Sequence, residues 1–285
     1  MIVSKEYKNT MIELQRTFKL KGDKMKRPET YLGAQLDTMT IDDVECWIMS
    51  TEKYVKSAVD NVETTTRRLP SKCHTPFSSN YKPELDMTAE LKADGVQYYQ
   101  DLVGVLQWAV EIGRVDILLE TSLMSSHLAL PDIGHLEQLY HMFGYLKIYP
   151  KCKLAFDPTH PKIDERRFVK HDRTDHFYQD VKEGIPSDMP PPRGKSVSAG
   201  NMVTRCSQTG VLVLFVNHAP IIWYSKRQNT AETSTFGSEF TAQRTLVELV
   251  VSLHYKLRMF GIPIKGPTNV FCDKEAVYKN ALAPA

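Results

Sequence analysis

The apolar positions along this chain change period several times, and each change marks an element. Met11, Leu14 and Phe18 recur at helical spacing within residues 1–30, ahead of a charged run from Lys19 to Arg27. Y-L-G-A-Q-L, starting at Tyr31, reads as a strand, and Cys46 to Met49 as its hairpin partner. Ser50 can cap a helix from Thr51 to Val62, with Tyr54, Val55, Ala58 and Val62 on one side. Residues 64–95 are rich in Pro, Ser, Thr and charge, and read as a linker. Three helices follow. Tyr99, Leu102, Val103, Leu106 and Val110 mark a face of the first, which Gly113 can end. The second covers Ile117 to Leu128, before Pro131. The third covers Gly134 to Ile148, with Leu136, Leu139, Tyr140, Phe143 and Leu146 at a 3.6-residue period. Burying a leucine-sized side chain is worth about 1.5–3 kcal/mol, so three such helices can hold a small bundle.

Beyond Lys151 the pattern shifts again. Lys153 to Phe156 reads as a strand, and the stretch up to Lys195 as a polar, proline-rich spacer, extended at Pro190, Pro191 and Pro192. The last third opens with Val211 to Val216, an unbroken apolar run that predicts a strand buried on both faces. Ile221 to Tyr224 returns as a second strand. A long helix spans Thr235 to Phe260, with Leu246, Val247, Val250, Val251, Leu253 and Leu257 as a wide apolar side and Gly261 as its terminator. Asn269 to Asp273 is a further strand with a carboxylate at its end.

Composition adds exclusions. The 285 residues are 42% hydrophobic and 25% charged, with a formal net charge of +2, so no concentrated basic surface is implied. Cys46, Cys73, Cys152, Cys206 and Cys272 lie far apart without a C-x-x-C pair, which argues against a zinc site and for free thiols in a reducing compartment. No apolar run has the length of a signal peptide or a membrane span, so an intracellular location, cytoplasm or nucleus, is expected, with no membrane partner and no small-molecule cofactor. His127, His135 and His141 invite a metal reading, but the spacing of His135 and His141 places them off a shared helix face, and packing histidines are expected instead. Arg114 and Asp116, just past a helix end, are expected to cap and bridge helices rather than to contact nucleic acid. Asp42-Asp43 reads as a solvated hairpin tip, because one adjacent pair cannot supply the converging carboxylates of a two-metal centre.

Several motifs occur together and in order: Y-L-G-x-x-L, Y-V-K-x-A, Y-Y-Q-D-L-V-G-V-L-Q-W-A, T-R-C-S-Q-T-G, I-I-W-Y-S-K-R-Q, S-T-F-G-S-E-F-T-A and N-V-F-C-D. In this series the chain resembles the C-terminal part of the polyprotein of copia-type retrotransposons. The resemblance implies an α+β chain: the tail of a reverse transcriptase palm (residues 1–63), connection or thumb-like helices (64–150), a polar spacer (151–195) and a ribonuclease-H-like α/β domain (196–285). It implies RNA-templated DNA synthesis and RNA-strand hydrolysis in the intact element, Mg2+ as cofactor, and an RNA–DNA hybrid or other nucleic acid as partner. It makes Glu239 of G-S-E-F and Asp273 of F-C-D remnant catalytic and metal-binding acids.

The departures matter as much. The polymerase aspartates are absent. The family's first nuclease aspartate belongs between R-G-K and T-R-C-S, yet Ser196 to Val203 holds no acid and is short. Lys274 stands where the family usually has Asn, and the family's closing helix would lie beyond Ala285. Asp172, Asp175, Asp180 and Asp188 of the spacer are poor substitutes, since catalysis tolerates a misplacement of about 1 Å badly. The resemblance therefore predicts a nuclease-like domain lacking its first strand, with Val211–Val216 left without its usual neighbour and open to aggregation. It predicts a catalytically inactive fragment, with a co-opted nucleic-acid or protein-binding module as the alternative.

Overall fold

The computed structural model describes residue 16 and residues 27–66, 69–162, 193–196, 199–200, 206–208, 210, 212–231, 234–262, 268–272 and 277. Apart from residue 16, the stretch Met11 to Phe18 expected to be helical lies outside them, as does most of the spacer. The fold is mixed α and β, as expected.

The first sheet has the order β1 (Thr30–Tyr31), β2 (Ala34–Ile41), β3 (Val44–Ser50) and β4 (Lys153–Phe156), all antiparallel. Asp42 and Asp43 form its tip. Both are exposed, with φ of +47° and +63°, between paired Ile41 and Val44. A two-residue left-handed turn matches the twist of the flanking strands, and Asp tolerates that conformation better than most residues. The pair is a turn device, as its sequence setting suggested.

Helix α1 (Glu52–Thr66) starts where the Glu52 amide donates to Ser50 Oγ at 3.4 Å. Helices α2 (Ala93–Glu111), α3 (Leu118–Ser125) and α4 (Ile133–Ile148) then pack with it around one core. All five residues expected on the α2 face are buried in it, with Val55, Val59, Val62, Met142 and Phe143. Gly113, at φ +122°, lets the chain leave α2 where a side chain would be strained. The second helix is shorter than expected: Ile117 belongs to a 3-10 turn (Val115–Ile117), and the helix ends at Ser125 instead of Leu128.

The stretch read as a linker is packed, where described. Cys73 is fully buried and lies against Gly144 of α4. Ser78 Oγ donates to Gln138 Oε1 at 2.8 Å, and Gln138 Nε2 donates to Pro76 O at 3.3 Å. Proline and serine content marked an irregular backbone correctly, but side-chain pairing with α4 holds that backbone on the bundle.

The remaining strands form two sheets. One has the order β10 (Arg227–Ala231), β7 (Cys206–Gln208), β6 (Ala199–Gly200). The other runs β11 (Asn269–Cys272), β5 (Arg193–Ser196), β8 (Leu212–Val216), β9 (Ala219–Tyr224). This corrects two expectations. Strand β8 has neighbours on both sides: β9 and β5, each antiparallel. The residues R-G-K-S fill the place expected to be empty. Nor is β8 buried on both faces: Leu212 and Leu214 are sealed, while Val213, Phe215 and Val216 are half-buried. Alternation along the pleat wins over the uniform apolar run. Helix α5 (Thr235–Met259) lays Leu246, Val250 and Leu253 on this sheet, and Gly261 ends it at φ +70°. Val247 and Val251, expected on the packed side, are 44% and 47% exposed.

Candidate functional site

The acid expected to act from a helix start is Glu239. Ser234 caps α5, its Oγ accepting from the Gly237 amide at 3.1 Å, so Glu239 falls in the second turn of the helix. Beside it, Ser238 is buried, and its carbonyl accepts from Gln228 Nε2 of β10 at 2.9 Å. This bond ties the helix start to the neighbouring sheet. It leaves three buried acceptors, Glu239 Oε2, Gln243 Oε1 and Gln228 Oε1, without a hydrogen-bond partner among the described residues. Gln243 stands one helical turn beyond Glu239, on the same face. Buried oxygens without donors are costly, about 1–3 kcal/mol each, unless a cation, water or ligand meets them.

Asp273 directly follows β11 and lies outside the described residues, as do Asp172, Asp175, Asp180 and Asp188. Parallel pairing sets Cys272, the residue before Asp273, opposite Ser196 of β5. At that junction β5 carries Arg, Gly, Lys and Ser, with no carboxylate. No group of three His, Cys, Asp or Glu residues capable of holding a metal occurs among the described residues. One carboxylate and two amide oxygens do not make the donor set of a two-ion magnesium centre, which requires several charged oxygens in octahedral geometry.

The other candidates resolve into structure. Arg114 is 1% exposed; its Nε and Nη2 donate to Asp116 Oδ1 and Oδ2 at 2.8 and 2.6 Å, and Nη1 donates to Tyr149 O at 2.8 Å. Tyr145 OH also donates to Asp116, at 3.1 Å. This network bridges α2, α4 and the exit toward β4, as the structural reading expected. His135 Nδ1 accepts from the Asp132 amide at 2.8 Å, so its Nε2 carries the proton toward Pro83 O at 3.0 Å. Its ring stacks on His127 with centroids 4.2 Å apart. His141 bridges Thr75 O and Cys73 Sγ, at 3.1 and 3.5 Å. All three histidines are packing groups. Cys46, Cys73, Cys152 and Cys272 are free thiols.

Sequence reasoning missed Gln228 and Gln243, which no motif singles out. It also missed a cleft where α2 and α3 meet the β9–β10 turn, lined by Trp108, Thr121, Ser225 and Arg227. Those residues are distant in sequence, and only the fold brings them together.

No family model and no solved structure matches the chain. A putative transposon Ty5-1 protein of Saccharomyces cerevisiae is 25% identical over 247 residues, covering 86% of this chain and 68% of the relative. The chain is retrotransposon-related. Because that match spans most of the sequence, the relationship extends over both the helical bundle and the α5 sheet of this retrotransposon-related chain. No helix among its described residues is long and apolar enough to cross a membrane.

Proposed function

We propose that the chain is the C-terminal part of a copia-type reverse transcriptase polyprotein, ending in a ribonuclease-H-like domain whose nuclease centre is incomplete. The hairpin of β2 and β3 corresponds to the palm tail, and α2 to α4 to the connection or thumb. The observation that carries the reading is the sheet order β11-β5-β8-β9, with β5 antiparallel to β8 and parallel to β11, and α5 packed on it. A ribonuclease-H-like fold sets its first strand in that position, with its first acid beside the acid that ends the later parallel strand. Here R-G-K-S occupies that strand, so Glu239 and Asp273 lack their third carboxylate. An ammonium at Lys274, next to Asp273, further disfavours a cation there.

When bound in an intact site, magnesium polarises the scissile phosphate and activates water. In this chain Glu239 remains as a carboxylate in the second turn of α5, with one buried oxygen that has no partner among the described residues. The expected result is no cleavage of the RNA strand of an RNA–DNA hybrid above background with magnesium or manganese, and no nucleotide incorporation. Magnesium-dependent cleavage that Glu239→Gln abolishes, in a variant that still melts cooperatively, would overturn this reading.

A further inference from the structure

We infer that the cleft between the bundle and the β9–β10 turn binds one nucleotide of a single-stranded nucleic acid, with Trp108 as the stacking platform and Arg227 as the phosphate contact. The cavity holds about 670 Å³, ample for a base and its sugar phosphate. Its walls are fixed at two points. Trp223 Nε1 donates to Val110 O at 2.9 Å, and Ser122 Oγ donates to Ser225 O at 3.2 Å. Between these ties lie two buried hydroxyls without partners among the described residues, Thr121 Oγ1 and Ser225 Oγ. Thr121 is 2% exposed, so its oxygen has no route to bulk water except through the cleft it lines. A hydroxyl left in that state is expensive alone and is satisfied by a polar ligand.

The rim defines the ligand. Trp108, a large aromatic residue in the lining, is 40% exposed. Arg227 also lines the cleft and makes no ion pair among the described residues; Lys226 precedes it in sequence, and Glu111 is the one acid of the lining. An aromatic plane, a guanidinium and a hydroxyl-lined floor match a base, a phosphate and a sugar. Stacking is tolerant of base identity, so the cleft holds a strand without reading its sequence.

This inference rests on the reading of the chain as a retrotransposon product that handles nucleic acid, but the two fail separately. Fluorescence anisotropy of a labelled oligothymidylate, titrated with the full chain at low salt, tests it. Trp108→Ala is expected to weaken binding about tenfold, and Trp108→Phe to retain most of it. Arg227→Ala is expected to weaken binding and to lower the slope of log K against log salt by about 0.7. Thr121→Val is expected to weaken binding while leaving the melting temperature unchanged or raised, which a purely structural hydroxyl would not do. Wild-type affinity in all of these variants, or no binding by the wild type, overturns the inference. Thymidine monophosphate displacing the oligomer at equal concentration overturns a strand as the ligand. Glu239-dependent cleavage of a hybrid would sink the inactive-nuclease reading and leave the cleft untouched.

Discussion

The helical bundle and the α5 sheet solve the same problem with different completeness. In the bundle, the largest buried polar groups are answered: Arg114 by Asp116 and Tyr149, His135 by Asp132 and Pro83, Gln138 by Ser78 and Pro76, while the smaller Thr51 and Thr121 hydroxyls have no partner among the described residues. Its core runs continuously through four helices. In the α5 sheet, a smaller core of Leu212, Leu214, Leu246, Val250 and Leu253 sits beside the acceptors of Gln228, Glu239 and Gln243, which have no partner among the described residues. The outer face of α5 shows Phe240, Val247, Val251 and Tyr255 at 44–56% exposure. A region whose large buried polar groups are paired is specified mainly by its own contacts. A region with unmet oxygens and an apolar outer face is specified in part by groups that meet them.

The largest effect should come from emptying the better-packed core. Phe143 is fully buried in the bundle, and Phe143→Ala should cost about 3–5 kcal/mol, because its many neighbours cannot collapse into the void. Leu246, also fully buried, lies in the smaller core, and Leu246→Ala should cost about 2–3 kcal/mol, at the low end for such a truncation. Chemical denaturation of the two variants measures both. If Leu246→Ala proves the more damaging, the contrast between the regions is reversed.

A sharper cut separates the packed stretch before α2 from the bundle that holds it. A Cβ added at Gly144 would lie 2.7 Å from Pro70 O and 2.8 Å from Cys73 Sγ. Neither backbone oxygen nor buried sulfur yields easily, so Gly144→Ala should cost about 1–3 kcal/mol. It should also speed the reaction of Cys73 with a thiol reagent, since the buried sulfur lies in this contact zone. Unchanged Cys73 reactivity would mean that the stretch is held by Gln138 and His141 rather than by the fit at Gly144.

How much of this was legible depended on whether a signal was local. The bundle was written in helical periodicity: Tyr99, Leu102, Val103, Leu106 and Val110 face the core because their spacing leaves no other arrangement. Gly113 and Gly261 announced helix ends that only a left-handed conformation permits. The packing of residues 69–92 was hidden, because Cys73, Ser78 and Gln138 act through pairing across a long sequence separation. Strand β5 was hidden for the same reason. R-G-K-S has no strand propensity, and it is extended because β8 and β11 offer it hydrogen bonds on both edges. Glu239 was legible through its motif; the unmet oxygens around it, and the Trp108 cleft, exist only once distant segments meet.

The smallest effect is shared by the two regions and tests whether they respond alike to acid. Burial pushes the pKa of His127 down from its usual value near 6.5, and the neighbouring His135 and Arg227 push it further, against Asp132 and Glu84. Burial and Arg258 do the same to His254, whose Nε2 lies 2.7 Å from Thr268 Oγ1. In both, the unfolded chain binds a proton at a higher pH than the folded one. Stability therefore rises with pH across the interval between the folded and unfolded values, and falls as pH drops below about 6.5. The fall stops once the folded histidines are themselves protonated. His127→Gln should flatten the part of this slope seen in the bundle, and His254→Gln the part seen at α5. Urea melts between pH 7.5 and 5.5 measure the slope, with the near-ultraviolet signal of Trp108 following the bundle. A slope unchanged in both variants would assign the acid sensitivity to carboxylates instead. A slope lost only with His254→Gln would mark the α5 sheet as the part that gives way first.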